Sequence, residues 1–329
     1  MEIMQKHALA SVIITFSATL LVASVSHAQS YPTKPIKFIV PVAAGGGADM
    51  IARSVAERLG RNLGQTLVVD NVSGGGGVIA SETTMRSAPD GYTLMQGYVA
   101  THATSPASRK LKYDPVKDFT PIGMIGGTPN VLIVPVSVPA NTVKEFVDYA
   151  KKNVGKISYG SAGQGSLTHL AMEQFKEATG VFAVHVPYRG IAPAITDMLS
   201  GSTQAMMPSL AAATPHIRSG KFRPLAVTGA KRHPNFPEVP TLNELGYKGF
   251  DGMQWYGIFG PAKMPADIVK RVHDELQKTI AVPELKQRLS AEAVELMPMS
   301  TEQFASFVAA DYARYQRVVK ERKLELSSD

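Results

Sequence analysis

Short β-branched runs alternate with segments of helical spacing along nearly the whole chain, and two of the joints between them are glycine-rich turns. This alternation constrains the fold more than any single residue does. Strands separated by helices pair in parallel and need both faces of their sheet covered. The first set predicts strands over 36–41, 67–70 and 92–96. A helix over 49–63 places Ile51, Val55, Leu59 and Leu63 on one face, and another follows the glycines at 74–77 and runs to 85. A second set predicts strands over 131–135, 157–159, 182–187, 203–207 and 222–227. Its helices cover 142–152, with Thr142 as N-cap, 166–179, with Ser166 as N-cap, and 192–199. A proline-rich loop over 234–240 leads to a returning strand over 254–259 and terminal helices over 265–280, 283–289 and 301–320.

The 329 residues hold no cysteine and carry a net charge of +7. Residues 1–28 are expected to be a signal peptide: an apolar stretch over 8–25 precedes Ser26 and Ala28, the small-residue spacing a signal peptidase reads. The mature chain would start near Gln29 in the periplasm. A retained membrane anchor is the competing reading, since 18 apolar residues approach the length of a span. About 300 mature residues suffice for two domains held together by their cores without disulfides. The expected division is 29–126 plus 229–329 for one lobe and 127–228 for the other, with hinges near 126–127 and 228–229. No basic run interleaved with aromatics argues for nucleic acid. No His-x-x-x-His pair, His-Glu-x-x-His motif or calcium loop argues for a metal, and no cofactor is expected.

The two turns read Pro41-Val42-Ala43-Ala44-Gly45-Gly46-Gly47-Ala48-Asp49 and Tyr159-Gly160-Ser161-Ala162-Gly163-Gln164-Gly165-Ser166-Leu167-Thr168-His169. Each ends a strand and opens a helix, leaving backbone N–H groups unpaired at a positive helix end, which is an anion site without a cationic side chain. The plain alternative is a glycine turn serving strand–helix packing. Asp49 reads either as a ligand group or as a stabiliser of the first helical turn. Ser161, Gly163, Gly165, Ser166 and His169 could meet a ligand. Ser166 and His169 could instead form a nucleophile–base pair, though the chain lacks a Gly-x-Ser-x-Gly elbow. Arg189 could fork onto a carboxylate or form a surface ion pair, and Tyr188 could face the cleft or pack beneath the turn. Thr101, Thr128 and Asn130 sit near the expected crossovers, and Ser209 at a similar strand end. Trp255 reads as a core anchor. Gly75-x-Gly77-x-x-Ala80 matches part of a dinucleotide fingerprint, but no acidic residue ends a following strand, so a structural turn is the better reading.

These residues, in this order, resemble the Bug receptors, the periplasmic solute-binding proteins of tripartite tricarboxylate transporters. The likeness spans the mature chain. It runs from Tyr31-Pro32 with Lys34-Pro35-Ile36 through Val40-Pro41, Ala44-Gly45-Gly46 and Asp49, then Asp90-Gly91-Tyr92-Thr93-Leu94 and Asp118-Phe119-Thr120-Pro121-Ile122. It continues with Tyr159-Gly160-Ser161, Val186-Pro187-Tyr188 and Trp255 with Gly257. The resemblance implies a two-lobed α/β fold of the type II periplasmic-binding-protein kind, a Venus flytrap whose lobes are mostly parallel sheets flanked by helices. It implies a ligand carboxylate held by backbone N–H groups and water from Ala44, Gly45 and Gly46, with Ser161, Gly163, Ser166 and His169 opposite; Ala43 is a candidate from the turn itself, whose N–H groups from 43 to 49 could hold a carboxylate. The expected role is a monomeric receptor that captures a di-, tri- or aromatic carboxylate and delivers it to membrane permease subunits. The alternatives are a ligand sensor docking on a membrane kinase and a secreted hydrolase using Ser166 and His169. Many members carry an acidic residue in the strand after the position of Gly201. Here Ser202-Thr203-Gln204 stands there, and Pro208-Ser209-Leu210 adds no acid. A ligand amine would lack an anionic partner, which favours a plain carboxylic acid, aromatic acids included.

Overall fold

A computed structural model describes residues 31–321. Two sheets organise the chain from Lys34 onward. The first holds six strands in the order β11-β4-β10-β3-β1-β2: β1 Ile36–Val40, β2 Leu67–Asn71, β3 Thr93–Tyr98, β4 Phe119–Pro129, β10 Met253–Pro261 and β11 Glu295–Leu296. The second holds five in the order β7-β6-β8-β5-β9: β5 Val131–Pro135, β6 Ser158–Ser161, β7 Val184–Pro187, β8 Ala205–Met206 and β9 Phe222–Val227.

Both sheets are mixed, where mostly parallel sheets were expected. β1 pairs in parallel with β2 and β3, and β6 with β7 and β8. β10 runs antiparallel to β3 and β4, and β5 antiparallel to β8 and β9. The physical reason lies in connectivity. The strand that leaves the first sheet, β4, and the strand that returns to it, β10, lie side by side, and a chain that leaves and comes back runs in opposite directions.

The helices are α1 Gly47–Leu63, α2 Val78–Met85, α3 Val143–Lys152, α4 Leu167–Thr179, α5 Ile191–Leu199, α6 Leu210–Arg218, α7 Ala266–Ile280, α8 Pro283–Ala291 and α9 Thr301–Glu321. α1 buries Ile51, Val55, Leu59 and Leu63 as its spacing predicts, and ends where Gly64 takes a left-handed φ of 75°. Thr142 accepts from Glu145 N–H and Ser166 from His169 N–H, so both expected N-caps are made. Sequence reading passes over β4, α6 and the π-helical turn Ala100–Thr104 that runs into the short helix Ser105–Ser108.

Tyr159, Phe146 and Phe175 pack on one side of the second sheet, and Met206, Ile133 and Phe222 belong to a separate cluster. In the first sheet Trp255 is 1 % exposed and donates from Nε1 to Asp311 Oδ2 at 2.7 Å. It is the core anchor the sequence suggests. The chain passes between the sheets at Asn130 and again at Thr228. The two crossovers are tied together: Thr228 N–H donates to Asn130 O at 2.7 Å, and Asn130 N–H to Thr228 Oγ1 at 2.8 Å.

Candidate functional site

Between the sheets lies a small cavity of about 30 Å³, lined by Val42, Ala43, Gly46, Ala48, Tyr98, Ala162, Thr168, Ile191, Ser209, Gln254 and Tyr256. No charged side chain lines it. Four helices begin at its wall. Gly46 is the N-cap of α1 and makes no side-chain cap, Thr168 lies in the first turn of α4, Ile191 opens α5 behind the N-cap Gly190, and Ser209 is the N-cap of α6. The first amides of each helix have no intrahelical partner, and the aligned peptide dipoles concentrate positive potential there.

The two sides meet closely around this point. A Cβ built on Gly47 would stand 3.0 Å from Ala212 N, one on Gly46 would stand 3.1 Å from Ile191 Cγ2, and one on Gly190 would stand 3.2 Å from Ala43 N. Glycine at 46 and 47 therefore lets α1 abut the N-terminal ends of α5 and α6.

The first-turn residues fall into two roles. Ala43 and Gly46 line the cavity; Ala44 and Gly45 lie in the same turn without lining it. Asp49 is buried and turned away. Its carboxylate accepts from Gly45 N–H at 2.9 Å, from Arg53 Nε at 3.0 Å and from Asn71 Nδ2 at 2.9 Å. Burial would raise its pKa, but these donors, Arg53 foremost, outweigh it and hold the carboxyl below the usual range. Asp49 thus braces the turn and neutralises its own charge against Arg53.

The second turn is held by its own side chains. Ser161 Oγ lies 2.7 Å from His185 Nε2. Ser166 Oγ donates to Gly163 O at 2.6 Å and lies 2.8 Å from Thr168 Oγ1, which accepts from Ala162 N–H at 2.9 Å. His169 accepts from Gly165 N–H at Nδ1, 3.3 Å, and stacks on His185 with ring centroids 4.0 Å apart. Burial, with the neighbouring His185, pushes His169 down to about 4; burial pushes His185 down to about 4 as well. Both rings are neutral near pH 7 and serve the turn as packing and acceptor groups.

The remaining candidates separate. Ser209 lines the cavity. Thr101 Oγ1 sits within the π-helical turn, donating to Tyr98 O at 2.9 Å and accepting from Tyr98 N–H. Thr128 pairs with Gln254 across β4 and β10. Asn130 Nδ2 donates to Met207 O at 2.7 Å at the crossover. Tyr188 OH donates to Asp197 Oδ2 at 2.6 Å, and the Arg189 side chain is exposed outside the cavity lining. Sequence reasoning missed Tyr98, Gln254 and Tyr256. Tyr98 and Tyr256 are register partners in β3 and β10, so they stand side by side on one wall.

A cavity between two mixed α/β sheets, ringed by helix N-termini, defines the class of two-lobed periplasmic binding proteins. The periplasmic binding protein BugD superposes with a TM-score of 0.87 at 36 % identity, covering 90 % of this chain and 99 % of that one. An R. palustris protein with adipate superposes with a TM-score of 0.85 at 35 % identity, covering 88 % and 97 %. The model of the tripartite tricarboxylate transporter family receptor matches residues 51–324, and BugT of Bordetella pertussis is 32 % identical over 320 residues, covering 97 % of this chain and 98 % of its own. The chain belongs to the tripartite tricarboxylate transporter receptor family, the Bug receptors.

Proposed function

We propose that this protein is a periplasmic receptor that closes on a small carboxylate and presents it to membrane permease subunits. The observation that carries the reading is the meeting of four helix N-termini at one interlobe cavity with no charged side chain in its wall. Partial positive charge without a titratable cation suits a carboxylate. Tyr98, Thr168, Ser209, Gln254 and Tyr256 supply neutral hydrogen-bonding groups for the rest of the ligand. The adipate-bound relative supports the same ligand class.

Residues 29–126 with 229–329 form one lobe of this receptor and 127–228 the other, joined at Asn130 and Thr228, and the chain acts as a monomer. Residues 1–28, which lie outside the described residues, direct export and are then removed. The protein is not a hydrolase in this reading. Ser166 Oγ is engaged by Gly163 O and Thr168, and the His169 nitrogen nearest the turn accepts from Gly165 N–H, which leaves the pair without a nucleophile–base hydrogen bond.

The test is a thermal-shift screen of the mature protein against mono-, di- and tricarboxylates, aromatic acids and amino acids. A ligand that binds only the native state raises the melting temperature. A shift with an acid and none with its amino-acid analogue is expected. Stabilisation by amino acids alone would refute the ligand class. Hydrolysis of a simple ester, abolished in Ser166→Ala, would refute the receptor reading.

A further inference from the structure

The run Gly74–Gly77 does not line the cavity, and its sequence reads only as a turn. All four glycines hold positive φ, at 127°, 58°, 71° and 95°. Gly76 faces the second turn across the cleft. A Cβ built there would stand 3.0 Å from Gln164 O and 3.2 Å from Arg109 Nη2, and one built on Gly163 would stand 3.4 Å from Gly76 N. Two backbones belonging to different sheets approach here with no side chain between them. Ser105 Oγ donates to Gly165 O across the same gap at 3.3 Å. Arg109 Nη2 donates to Gly75 O and fixes the run from behind. Tyr98 OH, from the cavity wall, donates to Gly76 O at 3.3 Å.

We infer that Gly76, in a run that Arg109 holds from behind, forms with Ser105 a closure latch that grips the Gly163–Gly165 backbone when the lobes shut. The inference rests on the two-lobed receptor reading. Among the described residues the chain crosses between the sheets only at Asn130 and Thr228, so rotation about those points parts groups that face each other across the cleft. The Ser105–Gly165 bond and the Gly76–Gln164 contact therefore belong to the closed state alone and bias the equilibrium towards it. Ligand affinity scales with the fraction of molecules able to close. Tyr98 belongs to both cavity and latch, so a ligand resting on its ring is one hydrogen bond from the grip.

The absence of cysteine allows two spin labels to be placed cleanly, one in each lobe, through Lys117→Cys and Lys152→Cys, both at exposed positions. Inter-label distances are measured with and without adipate, malate and benzoate. The full mature protein is expected to show a short-distance, closed population. Gly76→Leu should deplete it by at least about tenfold, because the new side chain meets the opposite backbone. Gly75→Leu is the control. It carries the same left-handed strain, but a Cβ there meets only Val78, and the closed population should persist. Ser105→Ala introduces no strain and should deplete it partially, which keeps the test decisive if Gly76→Leu fails to fold. Closure of Gly76→Leu and Ser105→Ala at wild-type levels overturns the latch, as does equal loss in Gly75→Leu. A wild type with no short-distance population under any condition overturns it too. A closed population in a protein that binds none of the acids would sink the carboxylate reading and leave the latch standing.

Discussion

Thr228→Val tests whether the crossovers are held by specific hydrogen bonds. Thr228 is 3 % exposed; its Oγ1 accepts from Asn130 N–H at 2.8 Å and donates to Gly252 O at 2.9 Å. Valine keeps the shape and removes both bonds. Asn130 is fully buried, so its N–H finds no water, whereas Gly252 is partly exposed and its carbonyl can be hydrated. The cost should therefore come mainly from one orphaned buried donor, about 2 kcal/mol within a usual range of about 1–3. In urea unfolding that is a midpoint lowered by about 0.7 M at a slope near 3 kcal/mol per M, with the slope unchanged. Thr228→Ser retains the hydroxyl and should lose about 1 kcal/mol or less, from one buried methyl. A Thr228→Val midpoint within error of wild type, or a larger loss in the serine variant, would refute the argument that the hydroxyl holds the joint.

Asp49→Asn should weaken the first turn by about 1–2 kcal/mol, since it takes the charge from the carboxylate facing Arg53 and Gly45 N–H; thermal unfolding reads this directly. Arg189→Ala should change affinity for any acid found in the screen by less than about twofold, because its exposed side chain sits outside the cavity, and titration calorimetry reads that difference. Burial holds His169 at about 4 against about 6.5 in the unfolded chain. The unfolded state binds the proton first, so stability falls as pH drops from about 6.5 to about 4 and levels off below, by about 3 kcal/mol for this ring. A stability curve flat across that window would contradict the buried, neutral assignment. His169→Gln should remove about half of the slope the two stacked rings give, because His185 is held at about 4 as well and titrates over the same window.

Helices were legible in the sequence where a cap and an apolar stripe agree. Thr142 and Ser166 stand where they were expected, and the α1 face is the predicted one. β4 was not, because Phe119–Pro129 holds two prolines and three glycines and looks like loop. It is a strand only because β10 lies beside it. A Cβ on Gly126 would lie 2.3 Å from Glu295 O of the neighbouring β11, a crowding visible only in three dimensions. α6 was missed because Pro215 interrupts an otherwise helical run; it is tolerated in the last turn of a helix that Ser209 caps. The glycine turns announced an anion site, yet their side-chain hydroxyls proved to be partners of the turn itself. The polar cavity wall comes largely from Tyr98, Gln254 and Tyr256, at positions more than 150 residues apart that antiparallel pairing brings together. No local pattern marks them.

The cavity wall holds peptide dipoles and neutral side chains where many anion receptors hold arginine. A peptide N–H does not titrate in the accessible range, so if the proposed seat holds the anion, the protein contributes no proton switch of its own there. Below the ligand's own carboxyl pKa, binding should weaken because the acid loses its charge. Above it, affinity should stay level up to the pH at which the fold fails. The seat proposed here is also made of main chain, so substitutions on β3, β10 and α6, away from the side chains that brace the two turns, leave it in place. In that proposal, the groups facing the rest of the ligand, from β3, β10 and the start of α6, are then free to vary without dismantling the grip on the carboxylate.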